Sequence, residues 1–220
     1  MGPLVPQRAP WKHKAIKPNY EMRIKTNRQT DPAVIKQTFL EIIEEHTDYT
    51  TLYTDGSKNP QGSVGASYYI SNFNIGRQFR ISNNVSVYTA EMIAIREALR
   101  FITSYKITKA IIISDSLSVL KSLESGISQS RPNLLEEVKC MISNLFINQT
   151  CDLRFIWTPA HTGVVGNERA DKLAKQALQR DGIDIPVPLE LKKPTALLIA
   201  ISQSNGNYSG TRQTKGDYIT

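Results

Sequence analysis

An α/β fold is what this 220-residue chain predicts, on three observations. Residues 49–81 read as three short strands separated by turn-forming residues, an antiparallel meander. Lys109–Ser114 and Asp152–Trp157 read as two further strands, and the unbroken run Ala110-Ile111-Ile112-Ile113 suits a central strand buried on both faces. Between and after these strands lie segments whose apolar residues recur at helical spacing. With 40% hydrophobic and 21% charged residues, the composition is that of an ordinary globular chain, long enough for one substantial domain plus tails.

Taken in order, residues 1–31 hold Pro3, Pro6, Pro10 and Pro18 among scattered Lys and Arg, without apolar periodicity, and are expected to be a disordered basic linker. Trp11 between basic residues could make it an auxiliary nucleic-acid arm. Asp31 is placed to cap a helix and Pro32 suits its first position. Ile35, Phe39, Ile42 and Ile43 then predict one amphipathic connecting helix to about His46, within residues 32–48. A domain over residues 49–180 follows. Its first strand is expected at 49–54 with Asp55 near its end, where Asp-Gly alone would signal a turn. Asn59-Pro60-Gln61-Gly62 is a turn, and strands at 63–70 and 75–81 meet around Asn72. Gly65, inside the second strand, marks close packing, a bulge or the approach of a ligand backbone.

A helix over Val87–Ser104, with Ser86 as a possible cap, carries the stripe Ala94, Ile95, Ala98 and Ile102 with Glu91 beside it. Asp115 ends the strand at Lys109–Ser114 and opens a short helix. Residues 126–132 break the chain before a helix at 133–147, which carries Leu134, Leu135, Val138, Ile142 and Leu145. After Asp152–Trp157 a glycine-punctuated loop leads into a last helix, on which Asp171, Ala174 and Leu178 share one face. Residues 181–220 carry no motif and are expected to be a mostly unstructured tail.

Cys140 and Cys151 have neither the number nor the spacing of a disulfide framework or a zinc site, which points to free thiols in a reducing compartment. The apolar runs near the N-terminus are short and interrupted by proline, which argues against a signal peptide or membrane span and for an intracellular protein, nuclear or cytoplasmic. Net charge is +7, with seven Lys/Arg against one Glu in residues 1–30 and fifteen against ten acids in residues 49–180. Such an excess suits a polyanionic partner such as nucleic acid.

Four separated acids, Asp55, Glu91, Asp115 and Asp171, each occupy a strand end or the inward side of a helix. Singly, each has an ordinary explanation as turn, solvated face or helix cap. Together they would repel and raise one another's pKa values unless cations held them. Hard oxygen ligands without Cys or paired His favour Mg²⁺ or Mn²⁺ over Zn²⁺.

The order Tyr-Thr-Asp-Gly-Ser at 53–57, Thr-Ala-Glu at 89–91, Ser-Asp-Ser at 114–116 and His-Thr-Gly-Val-Val-Gly-Asn-Glu-Arg-Ala-Asp at 161–171 resembles ribonuclease H type 1. In flavour it is most similar to the ribonuclease H domain behind the reverse transcriptase of eukaryotic non-LTR retrotransposons. The resemblance implies a three-layer fold with a five-stranded mixed sheet, three antiparallel strands followed by two parallel ones. It also implies a monomer that cleaves the RNA strand of RNA/DNA hybrids, leaving a 5′-phosphate and a 3′-hydroxyl. Carried over by motif, Asp55 would bridge two Mg²⁺ ions, with Glu91 and Asp115 completing one site and Asp171 the other. His161 would shuttle a proton or assist product release. Recognition of the 2′-hydroxyl would fall to Gly56, Ser57, Lys58 and Asn59 and to Thr89 just before Glu91, with Ser116 and Asn167 as further substrate contacts.

Two departures from the cellular members bear on affinity. The connection at residues 126–131 is too short for the basic helix that some of them use to grip hybrid. Leu117 is apolar where a polar hybrid contact is common. The helix from Pro32 resembles the segment joining polymerase to ribonuclease H, so a reverse transcriptase domain of the parent element is a possible partner. Alternatives are a catalytically impaired nucleic-acid-binding remnant of a retroelement and a DNA-cutting transposase or integrase; the intact acids argue against the first and the order of the motifs against the second.

Overall fold

The computed structural model describes residues 16–27, 29–148 and 150–188. Residues 1–15 of the expected linker, with Trp11, and residues 189–220 of the expected tail lie outside them. Five strands, β1 (Thr50–Lys58), β2 (Val64–Ile70), β3 (Ile75–Ile81), β4 (Lys109–Ser114) and β5 (Asp152–Trp157), form one sheet in the order β3-β2-β1-β4-β5. Short turns make β1–β2 and β2–β3 antiparallel. β1–β4 and β4–β5 are parallel, and parallel neighbours need long crossovers. These are supplied by α3 (Val87–Ser104), and by α4 (Leu117–Ser125) with α5 (Pro132–Ile147). The fold class is the one the sequence predicts.

Alternation along the strands builds the other two layers. Leu52, Ile112 and Phe155 join Met92, Ile95 and Leu99 of α3 and Val138 and Ile142 of α5 in one core. Tyr53, Tyr69, Ile111, Ile113 and Ile156 turn to the opposite face, against Ile35, Phe39 and Ile42 of α2 (Pro32–Glu44) and Ala170 of α6 (Val165–Ala177). Ile111, Ile112 and Ile113 have no exposed surface, and such burial stabilises by about 1.5–3 kcal/mol per side chain. The helix read as a connector is thus a layer of the domain. Asp31 Oδ1 caps it by accepting from the Ala33 amide at 2.7 Å.

Two expectations change. Residues 16–27, read as linker, carry a one-turn helix, α1 (Glu21–Lys25), with Met22 fully buried. Asn19 pairs with the free edge of β5, donating to the Phe155 carbonyl at 2.8 Å and accepting from the Trp157 amide at 3.0 Å. At the other edge, residues 184–187 of the expected tail lie along β3. Arg80 N donates to Asp184 Oδ2 at 2.7 Å, Asp184 N donates to the Arg80 carbonyl at 2.7 Å, and Val187 N donates to Ser82 Oγ at 2.8 Å. Edge strands present unpaired backbone groups. Both flanking segments satisfy them with too few residues to show a periodicity.

Candidate metal centre

β1 runs through Asp55 to Lys58 instead of turning after Thr54, because β2 continues to pair with it: Asp55 opposes Ser67 and Lys58 opposes Val64. The parallel ladder with β4, however, stops at Thr54 and Ser114. Asp55 and Asp115 are therefore the next residues along two adjacent strands, just past their last pairing. Asp115 is not the cap of α4; that position is Ser116, whose amide donates to Ser114 Oγ at 3.1 Å.

Glu91 arrives from α3, whose start is fixed by Ser86 Oγ accepting from the Thr89 amide at 3.2 Å. Gly56 lets α3 close on β1: a Cβ there would stand 2.5 Å from the Glu91 nitrogen and 2.8 Å from the Ala90 carbonyl carbon. The space a side chain would need at Gly56 is taken by the helix, and the Gly56 amide hydrogen-bonds the Glu91 carboxylate.

One carboxylate oxygen each from Asp55, Glu91 and Asp115 lie within 4.8 Å of one another. Asp55 and Glu91 are each only 6% exposed. Burial, reinforced by the negative charges of Asp115 and Asp171, pushes the Asp55 pKa up to about 7. Burial drives Glu91 well above the usual carboxylate range, with Asp55 and Asp115 adding to it. Asp115 is raised by burial too, opposed by a hydrogen bond from Asn167 and by the positive field of His161. Among the described residues, Asp55 Oδ2 and Glu91 Oε2 are buried without a hydrogen-bond partner. Orphaned oxygens in an all-carboxylate cluster fit a hard divalent cation.

The fourth acid stands slightly apart. Asp171 on α6 is outside this cluster and accepts from Lys175 Nζ at 2.7 Å. Its side chain is 19% exposed, and it is near enough to raise the pKa of both Asp55 and Asp115. His161 is exposed on the loop before α6 with a left-handed backbone, φ 55°.

The expected substrate contacts divide. Ser57 is half-buried two residues beyond Asp55, on the same strand face. Lys58 Nζ donates to the Val85 carbonyl at 3.0 Å, and Asn59 Oδ1 closes its own turn by accepting from the Ser63 amide at 2.8 Å. Thr89 is fully buried, its hydroxyl beside Ser86 Oγ and accepting from Arg131 Nε at 3.2 Å. Ser116 Oγ lies 3.4 Å from Ser118 Oγ. Asn167 is 4% exposed and donates from Nδ2 to Asp115 Oδ2 at 3.2 Å, so it braces an acid of the cluster. One brace was missed: Trp157 Nε1 donates to the Asp115 carbonyl at 3.0 Å. The available signal was a Trp ending a strand, where its single polar atom needs a partner.

A family model described as RNase H matches residues 47–179. The chain is 33% identical over 138 residues to a ribonuclease H of Tropheryma whipplei (strain Twist), covering 56% of this chain and 81% of that protein. It is 30% identical over 136 residues to the Pol polyprotein of equine infectious anemia virus (strain Wyoming), covering 62% of this chain and 11% of the polyprotein. Against ribonuclease H1 of Homo sapiens the identity is 21% over 182 residues, 76% of this chain and 62% of that protein. The chain thus spans only about a tenth of the viral polyproteins it matches.

Proposed function

Because the chain belongs to the RNase H family, we propose that it is a metal-dependent endonuclease that hydrolyses the RNA strand of RNA/DNA hybrids. The observation that carries this reading is the cluster of three carboxylates with two buried, unpartnered oxygens. Asp55, Glu91 and Asp115 would hold Mg²⁺, with Mn²⁺ as a substitute, and Asp171 with Asp55 a second ion. Bound there, such ions supply a hydroxide-like water at neutral pH and neutralise charge on the departing 3′ oxygen.

The protein's own groups prepare that chemistry. The Gly56 amide and Asn167 Nδ2 orient Glu91 and Asp115 before any ion arrives, which is how outer partners hold ligands in place. His161, exposed at the rim, can take up or deliver a proton at the leaving oxygen. Discrimination for RNA would come from contacts to the 2′-hydroxyl by the stretch Gly56–Ser57–Lys58–Asn59 and the neighbourhood of Thr89 and Ser116. The similarity to Pol polyproteins supports an origin in a retroelement, and the motif sequence favours a non-LTR element with a reverse transcriptase as neighbour.

Purified protein incubated in Mg²⁺ with labelled RNA/DNA hybrid, duplex DNA and duplex RNA tests the activity. Cleavage of the RNA in the hybrid alone, lost in Asp55→Asn, is expected. Hybrid RNA that survives saturating protein, or an Asp55→Asn protein that cuts equally well, overturns the reading.

A further inference from the structure

Every residue of β2 is buried, and in that run Ser67 is a polar side chain with no exposed surface. It stands directly opposite Asp55 in the antiparallel register, so both side chains leave the sheet on the same face. That face carries α6, since Tyr53 and Tyr69, two residues along each strand, pack in one cluster with Ala170. Ser67 Oγ donates to the Ala170 carbonyl at 2.6 Å. A carbonyl inside a helix already has an amide partner four residues on, so this bond is an added tie between strand and helix. One turn later α6 touches β2 again: a Cβ on Gly65 would stand 2.4 Å from the Ala174 carbonyl oxygen. Asp171 follows Ala170 directly, and its charge reaches Asp55 across this junction.

We propose that Ser67 is a positioning residue which, by bonding the Ala170 carbonyl, sets the height and rotation of α6 over β2 and hence the distance from Asp171 to Asp55. This rests on the metal-dependent reading above. Gly65 allows the helix to come close; the Ser67 hydroxyl decides where it stops. The chain thereby fixes the spacing of its fourth acid from inside the sheet, through a residue outside the motifs that carry the family resemblance.

The test is a double-mutant cycle on the full chain with Ser67→Ala and Asp171→Asn, read by calorimetric titration of Mn²⁺ into metal-free protein and by the Mg²⁺ midpoint of hybrid cleavage. Ser67→Ala is expected to weaken Mn²⁺ affinity and raise the Mg²⁺ midpoint ~10-fold, as loss of an outer-shell partner does. Ser67→Thr, which keeps the hydroxyl, restores both. In the Asp171→Asn background Ser67→Ala adds nothing, because its effect passes through Asp171. Ile142→Val, on the opposite face of the sheet, controls for lost stability, and Ser67→Cys, a near-isostere with a weak donor, replaces Ser67→Ala if that variant does not fold. Unchanged Mn²⁺ affinity in Ser67→Ala, an equal shift in Ile142→Val, or a full effect in the Asp171→Asn background overturns the proposal. A wild type that binds Mn²⁺ but spares hybrid overturns the activity and leaves Ser67 to the calorimetric arm.

Discussion

Acids gather at both ends of the parallel strands, and the protein treats the two ends oppositely. At the amino ends, Asp48 accepts from Lys109 Nζ, and Asp152 accepts from the Tyr49 hydroxyl and from Arg154 Nη2 at 3.4 Å. The Arg154 guanidinium also lies 4.8 Å over the Tyr49 ring. Those hydrogen bonds, to Lys109 and to Tyr49, hold the Asp48 and Asp152 carboxyls below the ordinary range. At the carboxyl ends, Asp55, Glu91 and Asp115 are buried and lifted above it. One end pairs its charges where water would have solvated them anyway, which adds little. The other concentrates like charges away from water, a cost with no structural return. Acids kept at that cost are candidates for function.

Removing a charge from the costly end should have the largest effect, with opposite signs on stability and activity. Glu91→Gln places an amide where Glu91 Oε2 has no partner, able to donate to Asp55 or Asp115. In EDTA the variant is expected to be about 1–2 kcal/mol more stable by urea unfolding, the usual gain from relieving a strained site. Its cleavage of hybrid should fall to background. A less stable Glu91→Gln protein would mean that the cluster holds the fold together.

Titration separates the two ends next. A carboxyl raised in the folded state binds protons that the unfolded chain has already lost, so stability falls as pH rises between the two pKa values. For Asp55 that window runs from the unfolded value near 4 to about 7, and Glu91 and Asp115 act in the same direction. Asp48 and Asp152, with lowered values, contribute stability that is lost only as pH falls below about 4. Metal-free protein should therefore have a urea midpoint that declines from pH 5 to pH 7.5. Saturating Mg²⁺ should flatten that decline. A midpoint that rises with pH in EDTA would contradict the raised values.

The physics of legibility follows the same division. β3, α3, β4 and β5 have the bounds their patterns predict, because buried strands and long amphipathic helices repeat a signal many times. The convergence of Asp55, Glu91 and Asp115 was legible only through the spaced motifs, since no single Asp-Gly or Glu announces which residue it will meet. Gly56 signals that something comes close without saying what, and in the fold α3 does. Ser67 gives no signal, and Trp157 signals only that its ring nitrogen needs some partner, because each acts through one bond to a backbone carbonyl distant in sequence. Residues 16–27 were missed because a five-residue helix and one edge pairing are too short for periodicity to report.

The paired end should respond least. Tyr49→Phe keeps the buried ring and removes only the hydroxyl that bonds Asp152, whose carboxylate stays half in water. Above pH 5 the expected loss is below about 1 kcal/mol, the scale of one surface hydrogen bond. The hydrogen bond to Tyr49 is the main reason the Asp152 pKa is lowered, so the difference from wild type should shrink toward zero as acid protonates Asp152 in both proteins. Hybrid cleavage and its Mg²⁺ midpoint should not move, because β1 carries the effect of Tyr49 no further than its own end of the ladder. If Tyr49→Phe shifts the Mg²⁺ midpoint, the two ends are coupled through β1, and the opposition drawn between them gives way.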